Sequence, residues 1–343
     1  MGENHNVSPP AVVLGEVLCD LFVPEPGVAL SAAPVLVPML GGAPANVAVQ
    51  MARLGCPVEL VSAIGTDPLG ERALLELERE GVGVRHVQRR RERRTGLTLV
   101  QVDRDGERHF FPWRERSADL SLSPDELPAR LLEETPLLHR GTVSLRSEPA
   151  KGATRAAVAR ARAAGAIISL DVNLRYRMFP SAERLCSLAR SAVRDAHVVK
   201  ATREEAEALF EGQGGDAREG TSMRTDPDTL IDRLHKAGAD LVLLTFDADG
   251  ARLSSRRARV SVPTPRVQVV DATGAGDAFM GAALAELLAR GLGADELARL
   301  SEGVLEDIGR RACAAGAAAV TRLGATAGML RAERALAERL APA

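Results

Sequence analysis

From Leu137 onward, short apolar runs alternate with longer amphipathic ones, and that rhythm leaves few folds open. Strands are expected within residues 138–145, and over 166–172, 198–200 and 241–246. Helices are expected over 150–164, 182–193, 203–210 and 230–237. A strand that returns through a helix lies parallel to its predecessor. A parallel sheet needs helices on both faces, so the pattern predicts an α/β architecture. Ligands of such sheets collect at the carboxyl ends of the strands. A length of 343 residues admits one large α/β domain with insertions, or two small ones.

The N-terminal third reads differently. Residues 1–10 form a loose tail, and residues 11–15 (AVVLG) predict a short apolar strand. Residues 16–24 continue as a strand that holds Asp20. A carboxylate inside an apolar strand costs free energy unless it is paired. Asp20 is therefore either bonded to backbone or a ligand-binding residue. Residues 41–55 (GGAPANVAVQMARLG) give a glycine turn and a helix, with Asn46 in its first turn. Asn46 suits a helix cap or a ligand beside backbone that Gly41 and Gly42 bring close. A strand at 58–64 and a helix at 71–80 come next, the helix ended by Gly81. Residues 95–111 alternate in a way that suits a two-sided antiparallel ribbon, with Arg104-Asp105-Gly106 as its turn.

The chemistry concentrates at residues 267–280, VQVVDATGAGDAFM. Val267, Val269 and Val270 read as the end of a buried strand. Asp271-Ala272-Thr273 turns the chain, and Gly274-Ala275-Gly276 leads into a helix whose apolar side holds Phe279, Leu284, Leu287 and Leu288. A glycine-rich turn into a helix leaves backbone N–H groups aimed at one point, with the positive end of the helix dipole behind them. That is a phosphate site. Asp277 stands at its lip, where a carboxylate would repel phosphate but can take a proton from an attacking hydroxyl. An anion cradle beside a base suits phosphoryl transfer to an alcohol.

This stretch resembles the nucleotide-site signature of the ribokinase-like family, the PfkB carbohydrate kinases, which reads Asp-Thr-x-Gly-Ala-Gly-Asp; Ala272 stands where Thr is usual. The Gly41-Gly42-Ala43-Pro44-Ala45-Asn46 run resembles the family's first signature, where the Asn meets substrate hydroxyls. The resemblance runs from about residue 12 to about residue 330. It implies a three-layer sandwich with a mostly parallel central sheet and a small β-sheet lid. The kinase domain would span residues 11–333, with lid segments near 16–40 and 95–120 and a tail over 334–343. It also implies that Asp277 is the catalytic base and that Gly274, Ala275 and Gly276 form the anion hole.

Four runs resemble fructokinases more than ribokinases or nucleoside kinases: GEVLCDL, FPWR with Ser117-Ala118-Asp119, DVNLR and KATREE. They imply that Asp20, Gly41, Gly42, Asn46, Arg114, Asn173 and Arg175 bind the sugar. Trp113 would stack on a sugar face or pack inside the lid. Lys200, Thr202, Thr245, Gly250, Gly276 and Cys313 would bind nucleotide, and Glu205 would organise Mg²⁺ through water. Asp247 replaces a family glycine in a turn along the phosphates, and Asp tolerates the left-handed backbone that such a turn needs. K⁺ near the Asp271 loop and a homodimer built through the lid are further expectations.

Other classes fit poorly. Lys plus Arg is 44 and Asp plus Glu is 46, a balance that favours neither nucleic acid nor a membrane surface. Four unpaired cysteines argue against a disulfide framework or a zinc site. No apolar signal region opens the chain and no run is long enough to span a bilayer, so a cytoplasmic location is expected. No Gly-Lys dipeptide, and so no Walker A motif, occurs. A dinucleotide-dependent oxidoreductase would need a glycine fingerprint near the N-terminus, which is missing. The expected function is ATP-dependent phosphorylation of a sugar hydroxyl, with fructose first and 2-keto-3-deoxygluconate second. A non-catalytic sugar sensor of the same fold is the reading in which Asp247, Thr202 and Cys313 mark a lost nucleotide site.

Overall fold

Val13 packs into one apolar cluster while its neighbours Val12 and Leu14 pack into another, and all three are buried. Leu241 and Leu243 alternate with Val242 and Leu244 in the same way. Successive strand side chains point to opposite faces, so strands apolar at every position demand cover on both. The computed structural model describes residues 8–25, 27–102, 108–211 and 224–332 and shows that arrangement. Residues 1–7 of the expected 1–10 tail, the expected tail at 334–343, the 104–106 turn and most of residues 211–228, whose Gly- and Asp-rich sequence predicts a surface loop, lie outside the described residues.

The chain begins with β1 (Ala11–Leu14), β2 (Leu18–Phe22), β3 (Val37–Gly41), α1 (Ala43–Arg53), β4 (Val58–Gly65), α2 (Pro68–Arg79) and β5 (Val87–Arg90). It continues through β6 (Gly96–Val102), β7 (Arg108–Trp113), α3 (Ala129–Glu134), β8 (Leu137–Arg140), α4 (Ala150–Ala163) and β9 (Ile167–Asp171). Next come α5 (Ala182–Arg194), β10 (Val198–Thr202), α6 (Arg203–Glu211), α7 (Pro227–Ala237) and β11 (Leu241–Thr245). It closes with β12 (Ala251–Ser255), β13 (Arg259–Val262), α8 (Ala275–Ala289) and α9 (Glu302–Ala319). Among the described residues, nine strands form one sheet in the order β13-β12-β11-β10-β9-β8-β1-β4-β5. From β11 to β5 every pairing is parallel; β12 and β13 form an antiparallel edge. A separate sheet, β3-β2-β6-β7, supplies the lid. The fold is thus the expected mostly parallel α/β sheet with a smaller second sheet.

Two expectations fail. Residues 263–269 form no strand, and Val267, Val269 and Val270 are 40%, 61% and 56% exposed. An apolar run reads as buried only if something covers it; here the last sheet strand ends at Val262, and the backbone N–H of Val270 donates to Val320 O at 2.8 Å. Nor does α8 have one apolar side. Asp277 through Leu287 are all buried, because α8 runs between α1 and α9. Gly281 makes that fit possible: a Cβ there would lie 2.7 Å from Gln50 Cβ and 2.9 Å from Val47 O.

The second sheet, with strands over 18–22, 37–41, 96–102 and 108–113, falls within the expected lid segments near 16–40 and 95–120. Asp20, Thr98 and Pro112 form one cross-strand row, and alternation sets Phe111 and Trp113 on different rows. Trp113 is 69% exposed and lines no part of the cleft described below. It neither packs in the lid nor faces a sugar site, because an edge-strand residue on the outer face has no layer above it.

Candidate active site

The close approach of α1 and α8 has a chemical consequence one turn earlier. Asn46 precedes Gln50 by four residues and Asp277 precedes Gly281 by four, so the two polar side chains meet. Asn46 Nδ2 donates to Asp277 Oδ2 at 2.8 Å. Asp277 is 8% exposed, in the first turn of α8. Burial pushes its carboxyl up, against the Asn46 N–H and the positive charges of Lys200 and Arg175. Asn46 does not cap α1 with its side chain, and its Oδ1 is buried without a partner.

Both residues open onto a cleft of about 600 Å³ between the lid and the carboxyl ends of β9 and β10. The lid contributes Asp20, Thr98, Pro112 and Arg114. The large sheet's loops contribute Asn173, Arg175, Lys200, Thr202 and Glu205, and residues 272–277 close the floor. Gly42 lines the cleft at the start of α1, while Gly41 sits behind it against the Asp20 carboxyl, leaving no room for a side chain.

The anion cradle is built as the glycines require. Gly274 adopts φ +81°, a left-handed conformation, and a Cβ on it would meet Ala325 O at 2.4 Å. Asp271 holds the loop from below: Oδ1 accepts from Thr273 N at 2.9 Å and from Thr273 Oγ1 at 2.7 Å, and Oδ2 accepts from Gly324 N at 2.7 Å. Lys200 stands behind Gly276, its Nζ 2.9 Å from where a Cβ would sit. The same Nζ lies 3.0 Å from both oxygens of Asp171. Burial alone would lower the lysine, but Asp171, Glu205 and Asp277 outweigh it and hold the ammonium charged. Burial raises Asp171 despite that partner.

The lid end of the cleft is an acidic and basic cluster. Burial pushes Asp20 up to about 6, against a hydrogen bond from Thr98 and the charges of Arg114 and Arg175. Glu16 is raised by burial too, and its Oε2 has no partner. Arg114 pairs with Asp119 and is 6% exposed. Its Nε and Asp119 Oδ1 remain unpartnered. Buried polar groups are nearly always satisfied, so the open atoms of Glu16, Asn46 and Arg114, which line the cleft, suit a hydrogen-bonding ligand. Sequence reading missed Glu16, Thr98 and the role of Asp119. The signal for Glu16 was the one used for Asp20, an acid inside an apolar run.

Glu205 is tied into the framework. Its Oε1 accepts from Leu174 N at 2.8 Å and its Oε2 from Thr202 N at 2.9 Å, while Glu205 N donates to Thr202 Oγ1 at 3.2 Å. This is a reciprocal cap that locks the Asn173–Arg175 loop to α6. No cluster of three or more metal-ligating side chains exists among the described residues. Each Glu205 oxygen keeps a lone pair for a water, which fits an outer-shell partner of a phosphate-borne Mg²⁺.

Three expected nucleotide residues do not reach the cleft. Thr245 Oγ1 donates weakly to Ala201 O at 3.4 Å. Gly250 turns with φ +97°. Cys313 is buried in the core, its Sγ 3.8 Å from Val262 O. Asp247 adopts φ +48°, the left-handed conformation expected of it.

Comparison with known proteins places this geometry. A family model described as pfkB family carbohydrate kinase matches residues 9–332. Rice fructokinase-1 is 35% identical over 314 residues, 92% of each chain. The Xylella fastidiosa fructokinase with bound ATP superposes with a TM-score of 0.84 at 31% identity, covering 96% of this chain and 98% of that one. The Vibrio cholerae O395 fructokinase with fructose, ADP and calcium ion superposes at 0.79 with 27% identity, covering 96% and 98%. No helix among the described residues is long and apolar enough to cross a membrane. The chain belongs to the pfkB family of carbohydrate kinases, phosphotransferases that act on a sugar hydroxyl.

Proposed function

We propose that this protein is an ATP-dependent fructokinase in which Asp277 is the catalytic base. The observation that carries the reading is the buried Asp277–Asn46 pair opening onto one cleft with Asp20, Arg114 and the Gly274–Gly276 cradle. The relatives named as fructokinases, one of them holding fructose and ADP, support the choice of sugar.

The residues divide the work. Asp20, Asn46 and Arg114 hold the sugar, with Arg175 and Asn173 at its other side. Asp277 takes the hydroxyl proton as the oxygen attacks the γ-phosphorus, while the amides of residues 274–276 and the Lys200 ammonium offset charge on the phosphates. Mg²⁺, when bound with the nucleotide, would further neutralise the phosphates, and Glu205 is the residue that would orient a water of its shell. A K⁺ ion near the Asp271 loop belongs to this reading; a rate that rises with K⁺ over Na⁺ would support it. Comparing kcat/KM for fructose, 2-keto-3-deoxygluconate, ribose and adenosine tests the substrate. A preference for fructose is expected, and a preference for 2-keto-3-deoxygluconate would replace it.

Asn46 acts twice in this reading, so Asn46→Ala has two expected effects. The sugar KM rises about tenfold, as a buried hydrogen-bonding group is lost. Loss of the donated N–H also raises Asp277 further. The base must be ionised, so activity falls as pH drops through its raised value, and the acid limb of kcat/KM moves to higher pH in the variant. A higher KM with an unmoved limb would remove Asn46 from the tuning of the base.

On the lid's outer face Phe111 and Trp113 are exposed, as are Val35 and Leu36 just before β3, and exposed apolar side chains of that kind mark an association surface. A homodimer through this face is the reading. Trp113→Glu should convert a dimer to a monomer in analytical ultracentrifugation, and a wild-type protein already monomeric at micromolar concentration would contradict it.

A further inference from the structure

Lid strands β2 and β3 rest on α2, and β7 forms the far border of that sheet among the described residues. A border strand has a neighbour on one side and presents main-chain groups on the other. Arg177 meets β7 there. Its Nη1 donates to Phe110 O at 2.9 Å, and its guanidinium lies over the Phe111 ring, 5.6 Å from the centroid. Side chains alternate along a strand, so Phe110 and Phe111 point to opposite faces. The arginine thus reaches past the strand's main chain onto its outer face.

Arg177 itself belongs to the other wall. It sits in a 3-10 turn, Tyr176–Met178, that follows the Asn173–Arg175 loop beyond β9. That turn is a firm base. Met178 N donates to Arg175 O at 2.8 Å and Phe179 N to Tyr176 O at 3.1 Å, while the Met178 and Phe179 side chains are buried in the apolar cluster on one face of the large sheet. The cleft runs between the two parts that Arg177 joins: Phe110 and Pro112 line it from the lid, Arg175 and Met178 from the opposite side. A cation over an exposed aromatic ring and one charge-assisted hydrogen bond shift a two-state balance about three- to tenfold. That is enough to decide how long the border of the lid stays down.

We propose that Arg177 is a positioning residue for the sugar: it fastens the border strand of the lid to the turn after Arg175, and so holds Asp20, Thr98 and Arg114 opposite Asn173 and Arg175. What the lid holds rests on the fructokinase reading; the fastening itself does not.

Two measurements on the full chain test it. In steady-state kinetics, Arg177→Ala should raise the fructose KM about three- to tenfold, with the ATP KM unchanged. Arg177→Lys keeps a charged donor without the flat face and should recover part of the loss. In the ligand-free protein, backbone hydrogen exchange over residues 108–113, read by mass spectrometry, should speed up by a similar factor in Arg177→Ala, since local opening is what the contact opposes. Exchange needs no turnover. A wild-type protein that phosphorylates no fructose would therefore end the fructokinase reading, while the exchange comparison still decides the fastening. Unaltered exchange in Arg177→Ala would overturn the proposal even with a raised KM, because Arg177 would then act on the sugar directly. Faster exchange with an unaltered fructose KM would overturn it too, because sugar binding would not depend on the contact. So would a KM that rises as much for ATP as for fructose, the mark of general loosening. Arg177 is exposed, so its replacement is expected to leave folding intact.

Discussion

Asp277→Asn should lower kcat by about 10²–10⁴-fold, the usual worth of a positioned general base, while the sugar still binds. The amide keeps the shape of the carboxylate and can still face Asn46, whose own amide can turn to bond it. What is lost is the ability to accept a proton from the sugar hydroxyl. Steady-state kinetics and sugar titration read the two effects separately. Turnover near wild type would make Asp277 no more than a helix-dipole acid. Loss of sugar binding equal to the loss of turnover would make it a sugar ligand instead of a base.

Lys200→Met should destabilise the protein by about 3–5 kcal/mol, because it strands the buried Asp171 carboxylate without its ammonium. Denaturant unfolding measures this. The double variant Lys200→Met/Asp171→Asn should regain most of that stability, as both buried charges are then gone. It should not regain activity, because the positive charge behind Gly276 is still missing. A double variant with restored turnover would reduce Lys200 to a structural ion pair. A single variant as stable as wild type would mean that Asp171 is held neutral without the lysine.

Much of this architecture was open to reading in the chain. Strands β8 to β11 announce themselves because each holds a short apolar run, and β8, β9 and β10 are each followed by an amphipathic helix of ordinary length. The cradle was legible because glycine and a following acid serve a turn and a base in few other ways. The failures share a cause. Val267 to Val270 look like a strand because pattern records polarity and not cover. The small residues of α8 look one-sided because a helix buried between α1 and α9 can be Ala-rich on every face. Antiparallel β12 and β13 were not read as a pair, since their short runs carry no helix between them. The Asn46–Asp277 contact spans 231 positions and depends on Gly281 fitting against α1, which no local pattern reports. By contrast, the Arg114–Asp119 pair spans five residues, and the quoted motif contained both ends without a reason to join them.

The most direct test of the account counts two products in one reaction of the purified protein with Mg·ATP and fructose. Asp277 delivering a sugar oxygen to phosphorus inside a closed cleft predicts one sugar phosphate for each ADP formed. ADP released without sugar phosphate would mean that water is the acceptor and that the lid and sugar ligands assigned here do not form the acceptor site.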